Sequence, residues 1–128
     1  METSYEIAVD RRRSMLRIRL AGFFQIEDVA RFAERKRAAH GDLRSPPNMH
    51  TTLVDIAECK IQPQQVVGAF AALIGETRYR ARRTAFVTGS SLATMQVRRM
   101  IGGQPDMRLF TDMAIAEAWL QDQAARAA

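Results

Sequence analysis

Residues 109–120 read Leu-Phe-Thr-Asp-Met-Ala-Ile-Ala-Glu-Ala-Trp-Leu, a short strand running directly into a helix that carries the single tryptophan of the chain. Thr111 and Asp112 can each accept a hydrogen bond from the N–H groups that the first helical turn leaves unpaired, so the strand stops and the helix starts there. Ile115 and Trp119, four residues apart, share one apolar face, which Ala116 and Leu120 widen. The spacing predicts a last helix that clasps the fold with its indole on the buried side.

Upstream, strand and helix signals alternate. Met107 to Phe110 is a short strand; Arg83 to Thr88, centred on Ala85, Phe86 and Val87, is a buried one that Gly89-Ser90-Ser91 turns into a helix ending near Ile101, where Gly102-Gly103 stops it. Thr52 to Ile56 is a compact apolar run, with Asp55 as its end, of the kind expected in a central strand covered on both faces. Pro63 suits the first turn of a helix over about Gln62–Thr77, with Val66, Val67, Phe70, Leu73 and Ile74 on its buried side.

Nearer the start, Tyr5, Ile7 and Val9, then Leu16, Ile18 and Leu20, alternate with polar or small residues, which predicts two half-buried strands joined by a hairpin tip at Arg11-Arg12-Arg13. A helix over about Ile26–Ala39 follows, with Val29, Ala30, Phe32 and Ala33 inward. Glu27 and Asp28 at its start and Arg35, Lys36 and Arg37 toward its end complement the helix dipole, and Gly41 ends it. Residues 41–51, with Pro46-Pro47 inside, form the one long loop, a lid or a plain connector, and hold His50. The resulting order, β-β-α-β-α-β-α-β-α, predicts an α/β fold: a mixed sheet of four to five strands with four helices, its later strands parallel.

The 128 residues fit one domain with a core at about 5–120 and frayed ends at 1–4 and 123–128. An apolar share of 47% with 26% charged residues is that of a globular protein and argues against disorder. The formal charge of +5 admits anionic partners. Yet the arginines are spread over many elements and gather in no stripe, which argues against nucleic acid as the partner. Cys59 is alone, so no internal disulfide forms. No cationic segment precedes an apolar core at the start, and the longest apolar stretch, Val66 to Ile74, is too short for a membrane span. A cytoplasmic location is expected.

Leu-Val-Asp-Ile at 53–56, Arg-Thr-Ala-Phe-Val-Thr-Gly at 83–89 and Phe110-Thr111-Asp112 followed by Glu117-Ala118-Trp119-Leu120 carry a resemblance over about residues 5–120. In these motifs and in element order the chain resembles the SpoIIAA-like family, which is related to the STAS domains of anti-sigma factor antagonists. The resemblance implies a small bacterial, cytoplasmic, non-enzymatic module of mostly undefined role that often forms a homodimer. Those antagonists carry a phosphorylatable serine after the third strand. The matching stretch here, Asp55-Ile56-Ala57-Glu58-Cys59-Lys60-Ile61, has no Ser or Thr, so the resemblance brings no phosphoswitch with it.

Ligands of open α/β sheets bind beyond the carboxyl ends of the parallel strands. That points to Asp55 and to Gly89, Ser90 and Ser91, where Ser90 either caps the helix or helps its free N–H groups hold an anion. Asp55, ending an apolar strand, needs hydrogen bonds from loop backbone or water. Phe23 and Phe24 cannot both face one core, which makes Phe23 a candidate groove-lining residue. The methionines at 95, 100, 107 and 113 suit core or interface filling, and Cys59 reads as an inert thiol. No phosphate-binding glycine loop, metal-ligand spacing or nucleophile and base pair occurs, so no cofactor, metal or catalytic residue is expected. Two readings remain: a non-catalytic regulatory or protein-interaction domain, or a module binding an anionic, apolar or lipid-like small molecule between helices and sheet.

Overall fold

In the computed structural model of the chain, residues 3–89 and 91–122 are described. The expected fraying at 1–2 and 123–128 and the Ser90 site lie outside the described residues. The elements are β1 (Ser4–Asp10), β2 (Met15–Gly22), α1 (Ile26–Leu43), β3 (Thr51–Cys59), α2 (Gln64–Ile74), a 3-10 turn at Thr77–Tyr79, β4 (Arg83–Val87), α3 (Ser91–Ile101), β5 (Met107–Phe110) and α4 (Met113–Leu120). The strands form one sheet in the order β1-β2-β3-β4-β5, with β1 antiparallel to β2 and all later pairs parallel.

Each successive parallel strand is added on the same side of the last, so right-handed crossovers put all connecting helices on one face. Accordingly α1, α2 and α3 cover the face that carries Ile18, Leu20, Val54, Ile56, Phe86 and Met107. Helix α4 follows the last strand without connecting two, and it covers part of the other face, over Met15, Leu53, Ala85 and Val87. Four aromatic rings knit the three-helix side: Tyr5 on Phe32 (5.5 Å), Phe32 on Phe70 (6.0 Å) and Phe70 on Phe24 (5.4 Å), all edge to face.

Helix α1 runs past Gly41 to Leu43 and closes with Arg44 in the left-handed region (φ 57°). Ala39 and Leu43 pack on Leu16, and that burial outweighs the roughly 1 kcal/mol a mid-helix glycine costs. Ala30, expected inward, is exposed, and Lys36, expected at the solvated end, is buried. The connector after α1 shortens to 44–50. It is tied down by Asn48, whose side-chain amide donates to the carbonyls of Thr77 (2.9 Å) and Arg80 (2.8 Å). Helix α2 is shorter than its apolar pattern, because Pro63 sits before its first turn and Gly75 closes it.

Asp112 caps α4 as expected, its carboxylate accepting from Ile115 N–H at 2.9 Å. The buried face differs from expectation: Ala116 and Leu120 are fully buried, Trp119 is half-buried and Ile115 is 60% exposed. The indole lies between the Arg83 and Arg108 guanidiniums, 4.5 and 5.1 Å from its centroid, and against Phe110. Arg82 and Arg83 donate to the carbonyls of Leu120 and Trp119, placing positive charge at the helix C-terminus, and Arg17 pairs with Glu117 at 2.7 Å. Leu120→Ala is therefore expected to lower stability to urea by about 2–5 kcal/mol, and Ile115→Ala by under about 0.5 kcal/mol.

Candidate functional site

Of the strand-end residues singled out by sequence, Asp55 and Gly89 both lie beside Ala57. Asp55 does not end β3, which continues to Cys59. Between the β2 and β3 pairings Arg19↔Asp55 and Ala21↔Glu58, two steps on β2 face three on β3, a bulge in β3. The Asp55 carboxylate accepts the Ala57 N–H at 3.0 Å and so satisfies a donor that the bulge takes out of the ladder. Gly89 lies next to Ala57, close enough that an added Cβ would stand 3.6 Å from the alanine's. Ser91 opens α3. Phe23 is 43% exposed and its neighbour Phe24 fully buried, so the two rings do diverge.

The bulge has a second effect: it flips the pleat, so that Cys59 turns toward the three-helix side with Ile56. There it lines a cavity of about 90 Å³ between the sheet and α1–α3. One water needs about 10–15 Å³, so this is not a single-water defect. Ile18, Leu20, Val54, Ile56, Phe70 and Val97 make most of its wall. At the end where the parallel strands begin stand Thr52, Thr84, Tyr79 and Lys36; at the other stand Cys59, Lys60, Gln62 and Gln96.

Gln62 closes the strand-end side. Its carbonyl oxygen accepts Phe24 N–H (2.8 Å), its amide donates to Gly22 (2.9 Å) and Lys60 (2.6 Å) carbonyls, and its backbone exchanges hydrogen bonds with the Gln96 side chain at 3.0 and 2.9 Å. Burial of the Cys59 thiol, followed by the nearby Asp55 charge, pushes its pKa up to about 12, so it stays protonated.

Lys36 is 6% exposed. Its ammonium lies 3.0 Å from His40 Nε2 and, being a donor only, makes that nitrogen the acceptor. The His40 ring packs on His50 (4.8 Å) and Tyr79 (4.9 Å), so the two histidines read from sequence as loop residues are packed at the cavity's end. Among the described residues no carboxylate is within ion-pair distance of Lys36; the nearby Glu76 is paired with Arg37 at 2.9 Å. Burial pulls the Lys36 pKa down to about 8, Glu76 opposing and Arg37 adding to the effect. Burial, then Lys36, likewise holds His40 at about 3 and His50 at about 4, so both rings are neutral at pH 7.

Lys36 was missed in the sequence, although a signal was present. Val29, Phe32, Ala33, Lys36, Ala39 and Leu43 follow the three-and-four spacing of a buried helix face, with the lysine in its middle.

No protein-family model matches the sequence, and no curated protein matches it. Solved structures share the fold, two of them as follows. An uncharacterized protein from the DUF3478 family with a SpoIIAA-like fold, from Shewanella loihica PV-4, superposes with a TM-score of 0.72 at 19% identity, over 94% of this chain and 96% of that one. An anti-sigma factor antagonist from Mycobacterium paratuberculosis gives 0.63 at 14% identity, over 93% and 96%. The fold is SpoIIAA-like, and among the described residues no helix is long and apolar enough to cross a membrane.

The buried groups set the pH dependence. The unfolded chain holds more protons than the folded one between about pH 3 and 6.5 through His40 and His50, and between about 8 and 10.5 through Lys36. Stability therefore falls as pH drops below 6.5. Lys36→Met removes a buried charge whose penalty is of the order of 3 kcal/mol. Its Tm should exceed the wild type's by several degrees at pH 7, and the gap should close as pH rises from 8 to 10.5, read by thermal scans across pH.

Proposed function

We propose that the chain is a non-catalytic regulatory domain that acts by binding, and that a small apolar or amphipathic molecule occupies the cavity between the sheet and α1–α3. The cavity carries this reading: it is mostly apolar in lining and of about 90 Å³, where close packing would ordinarily leave little space. The fold shared with an anti-sigma factor antagonist supports a regulatory rather than a catalytic role.

A protein partner is the second reading, supported by apolar side chains left outside near the strand ends. Phe23, Ile61, Leu92 and Met95 are 43–56% exposed. The bonds from Gln62 to Phe24 and Gln96 bring their segments into one neighbourhood. Gln62 also lines the cavity, so an occupant and a partner would share one wall.

Straight-chain alcohols from hexanol to decanol test the first reading, because a ligand that binds only the folded form raises Tm. The expected outcome is a rise in Tm that grows with chain length in the wild type. It should be lost in Ala93→Leu, which fills the cavity from α3 and keeps the far-ultraviolet circular dichroism. A wild-type Tm unmoved by every alcohol overturns the reading.

A further inference from the structure

We infer that the cavity selects an aliphatic monocarboxylate, with Lys36 as the residue that pairs with its head group and the aliphatic wall as the seat of its chain. This rests on the cavity reading above and adds the chemical class of the ligand.

A charged ammonium is 6% exposed and, among the described residues, has a neutral imidazole at 3.0 Å and no carboxylate as partner. Taking such a charge out of water costs several kcal/mol unless an opposite charge compensates it. Lys36 lines the cavity, so the missing counter-charge has room to arrive from there. The hydroxyl-bearing residues Thr52 and Thr84, both buried and paired across β3 and β4, line the same end and offer donors to a second oxygen. Everything beyond them toward Gln62 is mainly aliphatic and aromatic. A single negative charge at one end and an apolar run behind it describe a carboxylate on an aliphatic chain. A dianionic head would bring a second charge that only one buried cation faces.

Decanoate and decanol, which share a chain and differ in the head, test this by calorimetric titration of the intact protein. At pH 7 the wild type should bind decanoate at least tenfold more tightly than decanol. Lys36→Met should bind decanol undiminished and lose the preference; Lys36→Arg should recover part of it. The wild type gives an independent reading, since a preference that depends on the ammonium must shrink as pH rises from 7 to 9. His40 and Arg37 on the same helix, His50 from the loop before β3 and Glu76 after α2 face the amine, and Tyr79 of the 3-10 turn packs on His40. Both imidazoles are already neutral at pH 7, so the lysine is the buried cation losing charge in that range.

Equal affinity for the two probes overturns the carboxylate assignment and leaves the cavity reading standing. A preference that survives Lys36→Met, or stays constant to pH 9, overturns it as well. If neither probe binds, both readings fall, and the failure of decanol marks that case.

Discussion

Three helices laid on one face of a five-stranded sheet have to meet along seams, and how those seams are filled decides most of what this molecule can do. The sheet advances in one direction from β2 to β5, which sends α1, α2 and α3 to the same side. Phe24, Phe32 and Phe70 fill the seam between α1 and α2 with edge-to-face contacts. Beneath the same helices, along the sheet, the filling is incomplete and the cavity results. The opposite face is handled differently. Among the described residues only α4 covers part of it, and Arg17, Arg82, Arg83 and Arg108 fasten that helix through an ion pair, carbonyl contacts and the indole.

Those contacts also account for part of the basic composition. Arg80 holds Asp106 through two bonds of 2.8 and 2.9 Å, and Arg37 holds Glu76. Several arginines thus serve as ties between elements, as their scatter along the chain implies. Exposed ties of this kind contribute little each, about 1 kcal/mol or less. Their arrangement fixes where α4 and the loop before β5 sit more than it stabilises them.

The architecture was legible because period-two alternation, helix caps and glycine stops act over a few residues. Asp112 caps α4 through its own side chain, and Leu16, Ile18 and Leu20 face one side of β2. What escaped was set by contacts distant in sequence. Gly41 reads as a helix stop until Leu16 is found waiting for Ala39 and Leu43. Asp55 reads as a strand end because a bulge that it helps to hold is invisible in composition. Trp119 reads as the buried residue of α4, yet the smaller Ala116 and Leu120 take the sheet side and leave the ring between two guanidiniums. The candidate site was the least legible part. Its polar end joins Lys36 and His40 of α1, His50 from the next connector and Tyr79 from a turn beyond α2, which only the fold brings together.

Lys36 is the point at which local and global preferences disagree. Its neighbours along the helix face are apolar, and a methionine of similar length would fill the same position without a desolvation cost. The packing around it does not remove that cost: two neutral imidazoles lie near the amine, and the nearby Glu76 carboxylate is engaged by Arg37. Conflicts between a residue and its surroundings concentrate where a protein binds or reacts. Here the conflict sits at one end of a mostly apolar cavity, and the proposed anion with an aliphatic tail would resolve it. A purely structural lysine would have been expected to reach solvent along its own stem, as lysines at the edges of apolar surfaces do; this one turns inward, which is why the binding reading is preferred over a packing accident.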